Sequence, residues 1–223
     1  MTILGIDTCL PLGSVALTNN EKVLFFKSWN YPREHSSKVF EALSSILGTG
    51  KGKFNPIDLI IFTSGPGSFT GIRICLSLAK AFKAVVGKEK IGTVSTLEAL
   101  SFSFLSENLP VFVIVEGRKN KYYIYCRKRD EVIIPPKDLS AKEVINEISR
   151  IPGNMIITGN YNDHSEIGNF IQSSSRLLER RANTSLALNA ALFALKIGYR
   201  ESLEPIYIRQ PDAKPSNKRL ENK

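Results

Sequence analysis

Apolar residues fall along the chain in two rhythms. Short runs bounded by turn residues alternate with longer stretches of helical period. Ile3 to Asp7 predicts a buried strand, and Ser14 to Thr18 and Val23 to Lys27 predict its antiparallel neighbours, with Thr18-Asn19-Asn20-Glu21 as the turn. Ser36 to Leu47 predicts a helix ended by the glycines at 48, 50 and 52. A strand over Asp58 to Phe62 leads into a tight loop, Ser64-Gly65-Pro66-Gly67-Ser68, and a long helix to Val86 with Gly87 placed to cap it. A strand over Ile91 to Val94 and a helix over Thr96 to Leu105 follow. After Asn108-Leu109-Pro110 come strands over Val111 to Val115, Tyr122 to Arg127 and Val132 to Ile134, a helix over Ala141 to Ile148 and a strand over Met155 to Thr158. A helix near His164 to Gln172, an apolar helix over Leu186 to Tyr199 and an extended segment Pro205 to Arg209 complete the pattern. Each half opens on antiparallel strands and continues into alternating helix and strand. That order predicts two related α/β units with mixed sheets, 1–105 and 106–210, the second degraded, followed by a basic, mobile tail over 211–223.

The helix after the glycine loop is apolar over an unusually wide arc. Ile72, Cys75, Leu76, Ala79, Phe82 and Val86 form one face, and Ile74, Leu78, Ala81 and Val85 extend it. Arg73, Ser77 and Lys80 make the polar remainder, with Lys83 intruding. Covering one sheet takes a stripe of roughly 100°, and this arc is about twice that. The helix is therefore expected to bury two faces, one on its own sheet and one on a neighbouring helix or another subunit. The helix that begins near His35 is also broadly apolar, through Val39, Phe40, Ala42, Leu43, Ile46 and Leu47. Two such helices side by side would form half of a four-helix interface.

Composition narrows the chemistry. The 43% apolar and 23% charged fractions are those of a globular protein, and no apolar run approaches the roughly 18–20 residues that span a bilayer. The opening residues reach Asp7 without a basic leader, so the expected place is the cytoplasm. Cys9, Cys75 and Cys126 are odd in number and widely spaced, with no CxxC pair, and read as ordinary reduced thiols. The only histidines, His35 and His164, lie far apart and outside any HExxH helix, so no metal site is expected. The net charge of +9 draws the chain toward polyanions or simply keeps it soluble. Its basic residues gather at Arg118-Lys119-Asn120-Lys121, at Arg127-Lys128-Arg129 and in the tail.

The segment Gly65-Pro66-Gly67-Ser68-Phe69-Thr70-Gly71-Ile72-Arg73 sits between a strand and a helix, where free backbone N–H groups and the helix dipole favour anions. The Walker pattern fails because Ile72-Arg73 follows Gly71, and the GxGxxG pattern fails because the third glycine comes one residue late. Two readings stay open: a phosphate cradle using Gly65, Gly67 and Ser68, or a rigid elbow with Ser68 or Thr70 as helix cap. Asp7 is likewise either a carboxylate placed to face Mg²⁺ beside such a cradle or a residue closing its strand through backbone bonds. The apolar loop Thr8-Cys9-Leu10-Pro11-Leu12 favours the second.

In these same segments the chain resembles the bacterial TsaB (YeaZ) family. The resemblance is carried by Ile3 to Thr8, Gly13 to Leu17, Pro32-Arg33-Glu34-His35, the loop Gly65 to Arg73, Val94 to Leu100, Glu116-Gly117-Arg118 with Tyr122-Tyr123, and Pro205 to Arg209. It covers the first hundred residues well and about 130–200 only in general pattern. It implies an actin-like ATPase (ASKHA, ribonuclease H-like) fold of two lobes without catalytic residues. It also implies a scaffold role beside a TsaD-type enzyme and a TsaE-type ATPase in placing a threonylcarbamoyl group on the adenosine next to the tRNA anticodon. By the same resemblance, the two broad helices pair with the TsaD-type subunit, or with a second copy when the chain is alone. The side chains assigned to that interface are Val39, Leu43, Ile46, Ile72, Cys75, Leu76, Ala79, Phe82 and Val86. The catalytic relative carries a metal-binding His-x-x-x-His on the helix that begins here at His35; four residues on, this chain has Val39. No peptidase activity and no cofactor on the isolated chain are implied, ATP or ADP belonging to the assembled complex and tRNA being met through it. Ser64, where the family often has a basic residue, and Lys121, where it usually has an acid, are departures. Two alternatives remain: a stand-alone actin-like ATPase or kinase, and an independent RNA-binding protein.

Overall fold

A computed structural model of the chain describes residues 1–47, 57–86, 90–180 and 185–208. The first sheet contains β1 (Thr2–Asp7), β2 (Gly13–Asn19), β3 (Lys22–Trp29), β4 (Leu59–Thr63) and β5 (Ile91–Val94), in the order β3-β2-β1-β4-β5. The first three strands are antiparallel, and β4 and β5 run parallel to β1. Every residue of β1 and of β4 is buried, as expected for strands covered on both faces. The second sheet contains β6 (Val111–Glu116), β7 (Lys121–Lys128), β8 (Glu131–Ser140), β9 (Met155–Asn160) and β10 (Leu177–Glu179), in the order β10-β9-β6-β7-β8.

Period-two alternation sends the side chains of each strand into separate cores. Leu4 and Ile6 of β1, with Ile60 and Phe62 of β4, face α1 (His35–Leu47) and α2 (Phe69–Val86). Ile3, Leu59 and Ile61 point the other way, toward α3 (Thr96–Phe102) and α6 (Leu186–Lys196). Val111, Val113 and Val115 of β6 close that same core from the second sheet, so α3 and α6 are sandwiched between the sheets. Phe112 and Ile114 point outward to α4 (Ala141–Arg150) and α5 (Glu166–Gln172). The result is helix, sheet, helix, sheet, helix. Gly5 permits the close approach at its centre, since a Cβ there would overlap the Ala187 carbonyl of α6.

Several elements differ from the sequence pattern, among them the helix expected to reach Tyr199, which stops at Lys196. The helix expected to reach Leu105 stops at Phe102, and a single 3-10 turn spans Leu105–Glu107. The strand expected to end at Ile134 continues through Pro135-Pro136 to Ser140, because β8 lies at the sheet edge, pairs only with β7, and tolerates missing N–H donors. The three-residue β10 had no periodic signal. The division near residue 105 separates the two sheets, but 185–208 returns to the first one. The Ala187 N–H donates to Ser14 Oγ at 3.2 Å, and Thr93 and Arg200 exchange backbone hydrogen bonds of 2.7 and 2.9 Å. The glycines expected to end the first two helices, Arg209 and the tail over 211–223 lie outside the described residues.

Candidate functional site

The sequence-selected residues form two neighbouring features, the glycine loop with Asp7 and the face of α1 and α2. Asp7 ends β1 and is fully buried. Its Oδ1 accepts from Thr63 Oγ1 at 2.5 Å and from the Cys9 N–H at 3.0 Å, while Oδ2 has no partner. Burial outweighs those hydrogen bonds and pushes the carboxyl up to about 6. The Cys9 thiol is pushed well up, first by burial, so it stays protonated; it donates to the Thr63 carbonyl at 3.5 Å. Thr63, at the end of β4, was missed from sequence; its only signal is a polar residue closing an apolar strand.

The glycine loop is seated directly on the turn after β1. The Ser68 N–H donates to the Cys9 carbonyl at 2.7 Å, and Thr8 Oγ1 donates to the Gly71 carbonyl at 2.6 Å. A Cβ on Gly67 would overlap the Cys9 carbonyl, and one on Gly71 the Thr8 carbonyl. Gly65 adopts φ +97°, the left-handed region glycine favours, before a cis bond to Pro66. Ser68 caps α2, its Oγ accepting from Gly71 N–H at 3.4 Å. The chain's C-terminal stretch braces the loop from outside. The Ile206 N–H donates to the Ser64 carbonyl at 2.8 Å, the Phe69 and Tyr207 rings lie 6.1 Å apart, and Arg73 sits 3.8 Å above the Phe69 ring.

The helix faces need a correction. Val39, Leu43, Ile46, Ile72, Cys75, Leu76 and Ala79, read from sequence as a docking surface, are all buried within this chain. Cys75 and Ala79 pack with Leu78 on β1 and β4, and Val39, Leu43 and Ile46 join the same core. Ile72 and Leu76 turn instead onto Cys9, so the second face predicted for α2 is covered by the chain's own β1–β2 turn. Phe82 is half-buried, its ring 6.1 Å from that of Phe62. The Val86 side chain lies outside the described residues. Among the described residues, the large apolar side chains these helices leave exposed are Phe40 on α1, at 58%, and on α2 Phe69, at 44%, and Val85, at 84%, with Ala81 and Ala84 beside Val85.

His35 is buried at the start of α1, its Nδ1 accepting from Trp29 Nε1 at 2.9 Å. The Leu10 carbonyl lies near enough to favour the protonated ring, yet Nε2 makes no hydrogen bond of good geometry, and burial holds the imidazole below its ordinary value. Val39, four residues on, is fully buried. Arg33 and Glu34 are exposed on the short 3-10 turn before α1, with Glu34 4.0 Å from Lys38. Arg118 is exposed on the β6–β7 turn of the second sheet. Among the described residues no helix is long and apolar enough to cross a membrane.

Two sheets of mixed strand direction, with helices between and outside them, define a two-lobed protein of the actin-like ATPase fold. Solved structures bear this out. YeaZ from Pseudomonas aeruginosa superposes with a TM-score of 0.71 at 18% identity, covering 92% of this chain and all of that one. An activator of 2-hydroxyisocaproyl-CoA dehydratase from Clostridium difficile, with bound ADPNP, superposes at 0.54 and 11% identity, covering 87% of this chain and 94% of that one. The chain belongs to the family described as TsaD, tRNA N6-adenosine threonylcarbamoyltransferase, whose model matches residues 30–174, and within it to the TsaB (YeaZ) branch. The tRNA threonylcarbamoyladenosine biosynthesis protein TsaB of Escherichia coli K12 is 28% identical over 94% of this chain and 95% of its own length. The Haemophilus influenzae protein of the same description is 26% identical over 94% of each chain.

Proposed function

We propose that this chain is a non-catalytic subunit in the biosynthesis of threonylcarbamoyladenosine in tRNA, acting beside a TsaD-type enzyme and a TsaE-type ATPase. The relatives that match it nearly end to end carry the description of a tRNA threonylcarbamoyladenosine biosynthesis protein. Support for a scaffold role comes from the space beside Asp7. In an actin-like ATPase that space would hold phosphate; here Gly67 and Gly71 press backbone to backbone on Cys9 and Thr8. The loop's turn geometry is spent on packing. His35 is held by Trp29 beneath the surface, and Val39 offers no second ligand.

The partner surface is the exposed remainder of α1 and α2 around Phe40 and Val85. The same surface would join two copies when the partner is absent, and tRNA would be met through the complex. The test is co-purification with the TsaD-type protein of the same cell. Phe40→Glu and Val85→Glu should abolish pairing while circular dichroism and the unfolding midpoint stay unchanged. Ala79→Glu should unfold the monomer, because it buries a charge among β1 and β4 side chains. Pairing undiminished in the Phe40 and Val85 double variant would overturn the assignment of this face. Turnover of substrate by the isolated chain would overturn the non-catalytic role.

A further inference from the structure

A second feature lies where β7 passes the C-terminal end of α6. Tyr125 and Arg127 stand two apart on β7 and so share one face of the strand. Each is only 3% exposed. Arg127 Nε donates to the Arg129 carbonyl at 2.8 Å, and its Cζ lies 5.3 Å from the centre of the Phe193 ring. Among the described residues neither Nη group nor the Tyr125 hydroxyl has a hydrogen-bond or ion-pair partner, and none of the three is among the side-chain atoms sealed from solvent. Both side chains line a cavity of about 320 Å³ between the two lobes. A largely covered guanidinium whose free N–H groups open on a cavity takes its acceptors from there, as water or as an anion.

The cavity walls are fixed. Thr93 and Arg200 are joined by a pair of backbone hydrogen bonds, and the Tyr199 ring covers Gly92 so closely that a Cβ there would overlap it. Arg200 is already neutralised, its two Nη atoms each 2.7 Å from an oxygen of Glu98. Arg127 is thus the cation left to bind a ligand. Glu98 is spent on Arg200, and Asp130, which also lines the cavity, would repel a doubly charged anion more strongly than a singly charged one.

We propose that this cavity binds a small organic monocarboxylate, its carboxylate seated on the Arg127 fork and the Tyr125 hydroxyl and its apolar body against Phe193 and Tyr199. Guanidinium and carboxylate match in a planar, two-bond geometry. Burial raises the Tyr125 phenol above its ordinary value, so it keeps a proton to donate. The volume accommodates about ten water-sized groups, enough for a ring with a carboxylate.

The test is isothermal titration of the full chain with sodium benzoate, against sodium phosphate and sodium chloride at matched ionic strength. Saturable one-site binding of benzoate is expected, with phosphate and chloride at least tenfold weaker. Tyr125→Phe, which keeps the ring, should weaken benzoate about five- to tenfold, and Arg127→Lys, which keeps the charge but loses the fork, about tenfold or more. Because a buried arginine variant could fail to fold, the Arg127 Nε–Hε resonance of the unaltered chain supplies a second readout, and it should move on benzoate addition. An equal response to benzoate and chloride, undiminished binding by Tyr125→Phe, a resonance that stays fixed, or phosphate binding more tightly than benzoate would each overturn the proposal. The isolated chain is measured, so the outcome is independent of whether α1 and α2 dock a partner.

Discussion

Replacing Asp7 by Asn should remove a pH dependence that the buried carboxyl gives to stability. The carboxyl is raised to about 6 in the fold, against an ordinary 3.8. A raised value means the folded chain holds this proton more tightly than the unfolded chain. The resulting stabilisation is fully present below about pH 3.8 and is lost as pH rises through about 6. Integrating between the two values gives about 3 kcal/mol in total, of which about 1.4 kcal/mol is regained on moving from pH 7 to pH 5. In Asp7→Asn the amide oxygen can still accept from Thr63 and Cys9, while the amide nitrogen inherits the unpartnered place of Oδ2. That costs about 1–3 kcal/mol at every pH, so it displaces the curve without tilting it. His35 works in the opposite direction, because its lowered value makes stability fall as pH drops. It is common to both proteins and cancels in the difference. Urea unfolding followed by the fluorescence of Trp29, the single tryptophan, is the assay. With a slope of about 2–3 kcal/mol/M, the midpoint gap between the two proteins should change by roughly 0.5–0.7 M between pH 7 and pH 5. An unchanged gap would show that the Asp7 carboxyl is ordinary, and that water reaches Oδ2.

Other substitutions probe the packing around it. Gly71→Ala should cost about 2 kcal/mol or more, since the Thr8 carbonyl is backbone and cannot swing away; an unchanged urea midpoint would mean the loop and the β1–β2 turn are not in contact. His35→Ala leaves the Trp29 indole N–H without its acceptor and should destabilise by about 1–3 kcal/mol, with a shift in Trp29 emission as the independent sign. Exchanging Ile72 for Ser should destabilise the isolated chain through lost contact with Cys9 and Leu76, which a residue reserved for a partner surface would not do.

Much of the architecture was legible because its signals are local. Short apolar runs, turn residues and the paired order of strands and helices in the two halves predicted the mixed sheets, and segments from Ile3 to Arg209, densest in the first hundred residues, carried the family resemblance. The misread part was the wide apolar arc of α2. A helical wheel counts apolar positions but cannot say what covers them. Ile72 and Leu76 look identical whether they meet another protein or the turn at Cys9, and only the three-dimensional path of that turn decides. Arg127 presents the same limit in reverse. In the sequence it belongs to a basic cluster that reads either as polyanion contact or as plain solubility. In the fold, β7 turns it inward beside Tyr125 while α6, some sixty residues later, closes over it. Periodicity determined which residues share a face; what that face meets depended on contacts between segments far apart in the chain, which no local pattern encodes.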